Sequence, residues 1–425
     1  MLQKVKISPA VMAMPRRPDQ RMSTTDKTIT VMDIGSAFVR VLCVEVREGM
    51  LRYRGHAIVE SRGMRKGSIA ELEKCVYPIQ RAIGLAEVSA GFSIEHATVG
   101  VGGAQMRGLN SRGGLSLGSR PREIGREDVK QAVERARAVV LPADRELLHL
   151  LPQEFIVDNQ GGIRDPLGVV GTKLEVVVHM VTGPSSATQS VITVCNRAGI
   201  NVDATPFETL TAADAVLDGD ERELGVCLLD IGADTSELVV FYEGAVAHTG
   251  VVPIGGRHFT NDVAVGLRTP LPEAENIKCT YGNAVVPSVP EGNEIEVPAV
   301  GERGSRLMPQ KLLSEILEPR AHELFEHVRE NLRQGGVLEA LGAGLVLTGG
   351  GAKLQGLPAV AEPVLRCPVR VKSPNAISRM PASLSGPEFT TLIGLAMYTH
   401  RTQAMLAVPQ ENGFRARLKA LFQIA

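Results

Sequence analysis

Residues Leu228–Ser236 read LLDIGADTS. An apolar run, Val226–Leu229, leads into Asp230, Gly232 and a cluster of small polar residues, and a second run, Glu237–Tyr242, follows at once. The pattern predicts a strand, a tight turn and a returning strand. Gly232 has no Cβ to keep a phosphate away from the N–H groups of the turn, and Asp230 at the strand end can hold Mg2+ through its water shell. On its own, an Asp-x-Gly turn need only join two strands. Far upstream, however, VMDIGSAFVRVLCVEV (Val31–Val46) repeats the plan: strand, Asp33-Ile34-Gly35-Ser36, strand. Two such hairpins predict a duplicated domain whose phosphate turns face each other across a cleft.

The chain has 425 residues, too many for one core. Aromatics make up 4% and Trp is absent, so the core must be built mainly from aliphatic residues and Ala. A net charge of −1 gives no general reason to expect nucleic-acid binding. The six cysteines form no C-x-x-C pair, several lie in apolar runs, and a reducing compartment is expected. The histidines show no H-x-x-x-H spacing, which argues against a dedicated metal site. No apolar run approaches the roughly 18 residues of a membrane-spanning helix. Met1–Lys27 carries six cations and no continuous apolar region, as in a disordered basic leader rather than a signal peptide.

Between the hairpins, helical spacing is found at Ala70–Ala86, Arg126–Val139, Ser185–Ala198 and Glu208–Leu217. Ala97–Val101, Glu154–Asp158, Lys173–Val181 and Ile200–Thr205 read as strands, and Arg107–Arg120 is a Gly/Arg-rich run. Leu109–Thr182 is expected to form a compact α+β insert, with Gly183-Pro184 marking its end. After the second hairpin come a strand at Ala245–Pro253, helices at Gly255–Val265 and Glu273–Tyr281, and short strands within Ala284–Arg306. A long helix, Pro309–Arg333, precedes the strand Gly344–Thr348. That strand ends in Gly349-Gly350-Gly351, costly in backbone entropy and understandable where the backbone lies flat against a ligand. A helix at Gly356–Leu365, a strand at Val369–Val371 and a helix near Thr390–His400 follow.

The ordered set Asp33–Ser36, Asp230–Thr235 and Leu347–Ala352 resembles the phosphate 1, phosphate 2 and adenosine motifs of the actin/Hsp70/sugar-kinase ATPase superfamily. Within it, the stretch from about Thr28 to Tyr398 resembles the FtsA family of bacterial cell-division proteins. The most specific passages are GMRKGSI (Gly63–Ile69), PIGGRHFTND (Pro253–Asp262), AENIKCTYGNA (Ala274–Ala284) and EPRAHELF (Glu318–Phe325). The resemblance implies an α/β fold of duplicated ribonuclease-H-like domains, two lobes around a nucleotide cleft, with an α+β insert (subdomain 1C) in place of actin's subdomain 1B. It implies subdomain 1A at 28–108, 184–222 and 389–407, 1C at 109–183, 2A at 223–260 and 335–388, and 2B at 261–334, after a leader at 1–27.

Carried over by position, the resemblance implies ATP and Mg2+ as cofactors, with Asp33 and Asp230 holding the metal through water. Gly35, Ser36, Gly232 and Thr235 would contact phosphate, and Glu208 would orient an attacking water. Glu275 and Lys278 would contact ribose and adenine, and Gly349, Gly350 and Gly351 would wall the adenosine pocket. Ala233-Asp234 departs from the usual Gly-Gly of phosphate 2, and an added carboxylate repels a triphosphate. ATP binding with at most weak ATPase activity is therefore expected.

The remaining segment, 408–425, reads as a polar linker and an amphipathic helix. Phe414, Leu418, Leu421 and Phe422 share one side, with Arg415 and Lys419 beside or opposite them, the pattern of an anchor on an anionic membrane surface. A helix docked on its own domain would show the same pattern. The resemblance further implies self-assembly into filaments, peripheral attachment to the inner face of the cytoplasmic membrane at the septum, and later division proteins binding through 1C. It implies tethering of FtsZ, whose C-terminal tail would meet subdomain 2B, with Arg320 and Lys311 as candidate contacts. Three other members of the superfamily are alternatives. A small-molecule kinase would need a substrate pocket and a general-base Asp that no segment clearly supplies. An Hsp70-type chaperone would need a peptide-binding β domain, and a type IV pilus assembly protein would share both fold and insert.

Overall fold

Each Asp-Ile-Gly stretch forms the tip of a hairpin in its own five-stranded sheet. The structure, a computed structural model, describes residues 27–407 apart from 302–303 and 376. The expected basic leader and the amphipathic segment with Phe414, Arg415, Leu418, Lys419, Leu421 and Phe422 lie outside the described residues.

In the first lobe, β1 (Lys27–Ile34), β2 (Phe38–Arg47) and β3 (Met50–Glu60) form an antiparallel meander. A small hairpin, β4 (Met64–Arg65) and β5 (Ser68–Ile69), leads to α1 (Leu72–Ala90) and to β6 (His96–Val99), which pairs parallel with β1. The insert follows: β7 (Arg107–Ser116), β8 (Arg122–Glu123), α2 (Arg126–Arg137), β9 (Arg145–Val157), β10 (Gln160–Ile163), β11 (Val170–Gly171) and β12 (Lys173–Pro184). Its main sheet has the order β10-β9-β12-β7. The chain returns to the first lobe through α3 (Ser185–Arg197) and β13 (Asn201–Ala204), parallel to β6, then crosses by α4 (Glu208–Val216) and α5 (Gly219–Leu224).

The second lobe repeats the plan. Strands β14 (Val226–Ile231), β15 (Ser236–Tyr242) and β16 (Ala245–Val252) form the meander. Helices α6 (Gly256–Gly266) and α7 (Leu271–Tyr281), the ribbon β17 (Glu294–Pro298) and β18 (Ser305–Pro309), and α8 (Gln310–Gln334) come next. Then β19 (Gly344–Thr348) pairs parallel with β14, α9 (Leu357–Leu365) crosses over, and β20 (Val369–Val371) pairs parallel with β19. Helix α10 (Thr390–Ala407) returns to the first lobe. The sheet orders, β13-β6-β1-β2-β3 and β16-β15-β14-β19-β20, are the same arrangement read from opposite edges. This is the duplication that the repeated motif predicts, in the ribonuclease-H-like form that the resemblance implies.

The central strands are apolar on both faces because both faces are covered. Between the sheets, Leu42, Val44, Leu228, Val239 and Phe241 share one core with Ala212, Ala213 and Ala215 of α4 and Leu392, Ile393 and Ala396 of α10. The small residues of α4 allow the two connecting helices to lie side by side beneath the cleft. Separate cores cover the outer face of each lobe and the insert.

The insert departs most from the sequence reading. The Gly/Arg-rich run contains a ten-residue strand, β7, paired along its length with β12. Its glycines serve packing: a Cβ on Gly113 would fall 2.1 Å from the Ala136 backbone nitrogen of α2. Strand β9 begins at Arg145, well before the expected Glu154, and accommodates Pro152 opposite Val178, where its register with β12 shifts. The insert also leans on the other lobe. Gln153 Nε2 donates to the Val246 carbonyl of β16 at 2.7 Å, and His179 Nε2 lies 3.0 Å from Thr249 Oγ1. Burial pushes the His179 imidazole down to about 3, so it is neutral in this joint. We expect Gly113→Ala to destabilise the protein by about 1–3 kcal/mol through overpacking, read as a lower urea midpoint. An unchanged midpoint would show that β7 and α2 separate freely.

Candidate nucleotide site

The two hairpin turns are closed by the same hydrogen bond. Gly35 N–H donates to the Phe38 carbonyl at 3.0 Å, and Gly232 N–H donates to the Thr235 carbonyl at 2.9 Å. Each turn carries an acid at its strand end. Asp33 Oδ2 accepts from Arg40 at 2.9 Å, across the β1–β2 pair, and Asp230 Oδ2 accepts from Thr391 of α10 at 2.7 Å. Burial, with Asp33 as a nearby like charge, pushes the Asp230 carboxyl up to about 6.

Glu208 opens α4 and points into the same space. Burial raises its carboxyl well above the ordinary range, reinforced by Asp33, Glu237 and Asp230. Gly100 and Gly102, after β6, leave it room: a Cβ on Gly102 would lie 3.0 Å from Glu208 Oε2 and 2.6 Å from Glu237 Oε1. Glu237 is a fourth acid that sequence reading passed over. It accepts from Gly103 N–H at 2.5 Å and from Thr209 Oγ1 at 2.7 Å, and burial pushes it up to about 7. The available signal was a single acid opening the otherwise apolar strand SELVVFY.

The remaining residues fall into three groups. Ser36 and Thr235 are both buried at the turns, and Ser36 Oγ has no hydrogen-bond partner. Gly349 and Gly351 are required by protein packing: a Cβ on Gly349 would lie 2.1 Å from Asp230 Oδ1, and one on Gly351 2.3 Å from Ile231 Cγ2. Gly350 keeps an open side, with Glu388 Cβ as its nearest neighbour at 3.9 Å. On α7, Lys278 Nζ donates to Glu275 Oε2 at 2.7 Å, Thr260 Oγ1 at 2.9 Å and the Gly256 carbonyl at 3.0 Å. This ties α7 to the start of α6, and the Lys278 ammonium holds the Glu275 carboxyl below its ordinary range against the opposing effect of burial.

Asp234, the departure from the phosphate 2 pattern, is not a free charge. Its Oδ2 accepts from Lys66 N–H at 2.7 Å and its Oδ1 from Arg257 at 2.9 Å. The expected repulsion toward a phosphate is thereby largely offset.

Away from the cleft, Arg320 is held by Asp262 at 2.6 and 3.0 Å and also bonds Glu323. Lys311 is exposed at the start of α8, and nine positions set it about half a turn around the axis from Arg320. The structure does not bring these two cations together.

Two lobes of one topology, each with an acidic hairpin at a shared cleft, define a protein of the actin-like class. Among solved structures, the chain is similar to that of the PilM-PilN type IV pilus biogenesis complex, with TM-score 0.62, 19% identity and coverage of 87% of this chain and 98% of that one. It is also similar to MreB5 of Spiroplasma citri, solved with ADP bound, with TM-score 0.52, 13% identity and coverage of 91% and 99%. Family profiles are more specific: "Cell division protein FtsA" matches residues 227–394, and "SHS2 domain inserted in FTSA" matches 103–182. The cell division protein FtsA of Pseudomonas aeruginosa is 41% identical over 379 residues, 89% of this chain and 90% of that protein. That of Neisseria meningitidis serogroup B is 36% identical over 398 residues, 93% and 96%. The chain belongs to the FtsA family of cell-division proteins.

The acid cluster has a consequence for stability. The folded protein retains protons that the unfolded carboxylates release above about pH 4.5. Its contribution is therefore greatest below that pH and is lost as pH rises through about 7. In the nucleotide-free protein, Glu237→Gln should gain roughly 1–3 kcal/mol over wild type at pH 8, and little at pH 4.5. Gln keeps an acceptor oxygen for Gly103 N–H, and its amide can donate to Thr209 Oγ1 in the reverse sense of the wild-type bond. Parallel denaturation curves at the two pH values check this, and an equal difference at both would contradict it.

Proposed function

We propose that this FtsA-family chain is an ATP-binding, self-assembling scaffold that attaches to the membrane through its C-terminal segment and tethers FtsZ at the division site. The observation that carries the nucleotide reading is the pair of identically closed turns, each following a strand that ends in an acid, Asp33 or Asp230, with an unpartnered Ser36 Oγ in the first. Polar turns with a spare buried hydroxyl suit phosphate oxygens, and the acid cluster suits a cation. Among the described residues, no group of three or more His, Cys, Asp or Glu is arranged to hold a metal by itself. Asp33 and Asp230 would therefore hold Mg2+ through water, the mode in which this ion keeps much of its hydration shell. Bound there, Mg2+ would supply charge neutralisation for the phosphates. Glu208, whose raised carboxyl favours the protonated form, would orient a water better than it would deprotonate one, in keeping with weak ATPase activity.

No helix among the described residues is long and apolar enough to cross a membrane, so the reading of attachment rests on the amphipathic pattern of Phe414–Ala425. One such helix binds reversibly, and filaments would add avidity. In the proposed assignment, 109–183 forms the insert that later division proteins meet, and 261–334 the subdomain that receives the FtsZ tail. In the second, exposed Lys311 is readily available, whereas Arg320 would have to share Asp262 or exchange it for an acidic tail residue.

Two measurements on the full chain test the scaffold. It should co-sediment with anionic vesicles and retain an immobilised FtsZ C-terminal peptide. Deleting Phe414–Ala425 should abolish vesicle binding while leaving the melting temperature and peptide retention unchanged. Vesicle binding that survives the deletion would refute the anchor, and failure to retain the peptide would refute the tether.

A further inference from the structure

Asp234 and Arg257 belong to the second lobe, yet each contacts the first. The β4–β5 hairpin turns at Lys66 and Gly67, both in the left-handed region (φ 52° and 74°), so its tip presents the Lys66 N–H outward. Asp234 Oδ2 accepts that N–H at 2.7 Å across the cleft. The tip is packed as well as bonded: a Cβ on Gly67 would lie 3.2 Å from Thr235 Oγ1 in the phosphate 2 turn. Arg257 is fixed to the same turn by its own N–H, which donates to the Ala233 carbonyl at 2.8 Å. Its guanidinium then bridges the lobes, donating to Asp234 Oδ1 at 2.9 Å and to the Ser36 carbonyl of the phosphate 1 turn at 2.7 Å.

These four groups form one hydrogen-bonded chain: Lys66 N–H donates to Asp234, and Arg257 donates both to Asp234 and to the Ser36 carbonyl. Every link touches a turn expected to meet phosphate, and the unpartnered Ser36 Oγ belongs to the last residue of the chain. A guanidinium bonded to one carboxylate and one neutral carbonyl is a ready partner for phosphate oxygens, which it can grip with paired N–H groups.

We propose that Asp234 and Arg257 form a latch that holds the two lobes closed over the phosphate turns and gates entry of a nucleoside triphosphate, which opens the latch by drawing the Arg257 guanidinium away from Ser36. The latch rests on the nucleotide-binding reading for its ligand, but not for its existence, since its bonds are made by the protein alone. It also assigns a role to the carboxylate at position 234: Asp234 neutralises Arg257 in the closed state and anchors the hairpin tip.

The test has two arms on the full chain, with wild type, Asp234→Ala, Arg257→Gln and the double variant. In the nucleotide-free protein, backbone hydrogen exchange over residues 63–69 should rise about tenfold or more in Asp234→Ala, the factor expected on losing a charge-assisted hydrogen bond. In stopped flow with a fluorescent N-methylanthraniloyl ATP, association should quicken in each single variant. The double variant should be no faster than the faster single one, because both break the same latch. Should Asp234→Ala fail to fold, Asp234→Asn removes the charge while keeping the shape. Unchanged exchange over 63–69 in Asp234→Ala, or in Asp234→Asn if that variant replaces it, would overturn the latch whether or not nucleotide binds. Raised exchange with unchanged nucleotide kinetics would overturn the gate. Absence of nucleotide binding in wild type would count against the proposed function instead, and exchange alone would then decide the latch.

Discussion

Four carboxyl groups, Asp33, Glu208, Asp230 and Glu237, meet in one buried space, and like charges out of water cannot all remain ionised. The protein meets this constraint with short, local donors. Arg40 serves Asp33, Thr391 serves Asp230, and Thr209 with the Gly103 amide serve Glu237. Burial and the neighbouring acids push the Glu208 carboxyl toward its protonated form. The cluster is thus costly for folding and suited to cation chemistry, and its members come from four segments: β1, β14, β15 and the start of α4. Only a fold that brings both lobes together could assemble it.

The same need for convergence explains the surrounding architecture. Helix α4 meets α10 with small residues, and Gly394 of α10 lies against the Thr211 backbone, so the two sheets approach closely enough for both Asp-Ile-Gly tips to share a cleft. Contacts at two further places bind lobe to lobe: the insert leaning on β16, and the chain from Lys66 through Asp234 and Arg257 to Ser36. The insert is carried by the first lobe but hydrogen-bonded to the second, so movement between lobes must be felt at His179 and Gln153. Burial keeps the His179 imidazole in that joint neutral.

Much of this was legible in the chain itself. Asp33, Asp230 and the glycines beside them stood out because a strand ending in an acid and a Gly turn is a local pattern, and its repetition revealed the duplicated fold. What escaped was relational. Glu237 looked like the polar edge of an apolar strand, because nothing local shows that its neighbour would be Gly103, more than a hundred residues earlier. Strand β7 was hidden by its glycines, which weaken strand propensity but are needed where α2 presses against Gly113. Asp234 stood out as an anomaly of charge, while its partners Arg257 and Lys66 lie on other segments, so its neutralisation was visible only in three dimensions. The triple glycine was noticed and its first purpose misjudged: Gly349 and Gly351 make room for Asp230 and Ile231 before they face any ligand.

The central claim is that the paired turns and their acid cluster form a site for Mg2+ and ATP. Calorimetric titration of the nucleotide-free chain with ATP, with and without Mg2+, in buffers of differing ionisation heat near pH 6.5, tests it most directly. A cation drawn to Asp230, whose carboxyl is held up to about 6, displaces the proton fraction it still carries, so the account predicts Mg2+-dependent binding with net proton release, both weakened in Asp230→Asn. Binding that ignores Mg2+ and releases no proton, or that is unchanged in Asp230→Asn, would contradict it.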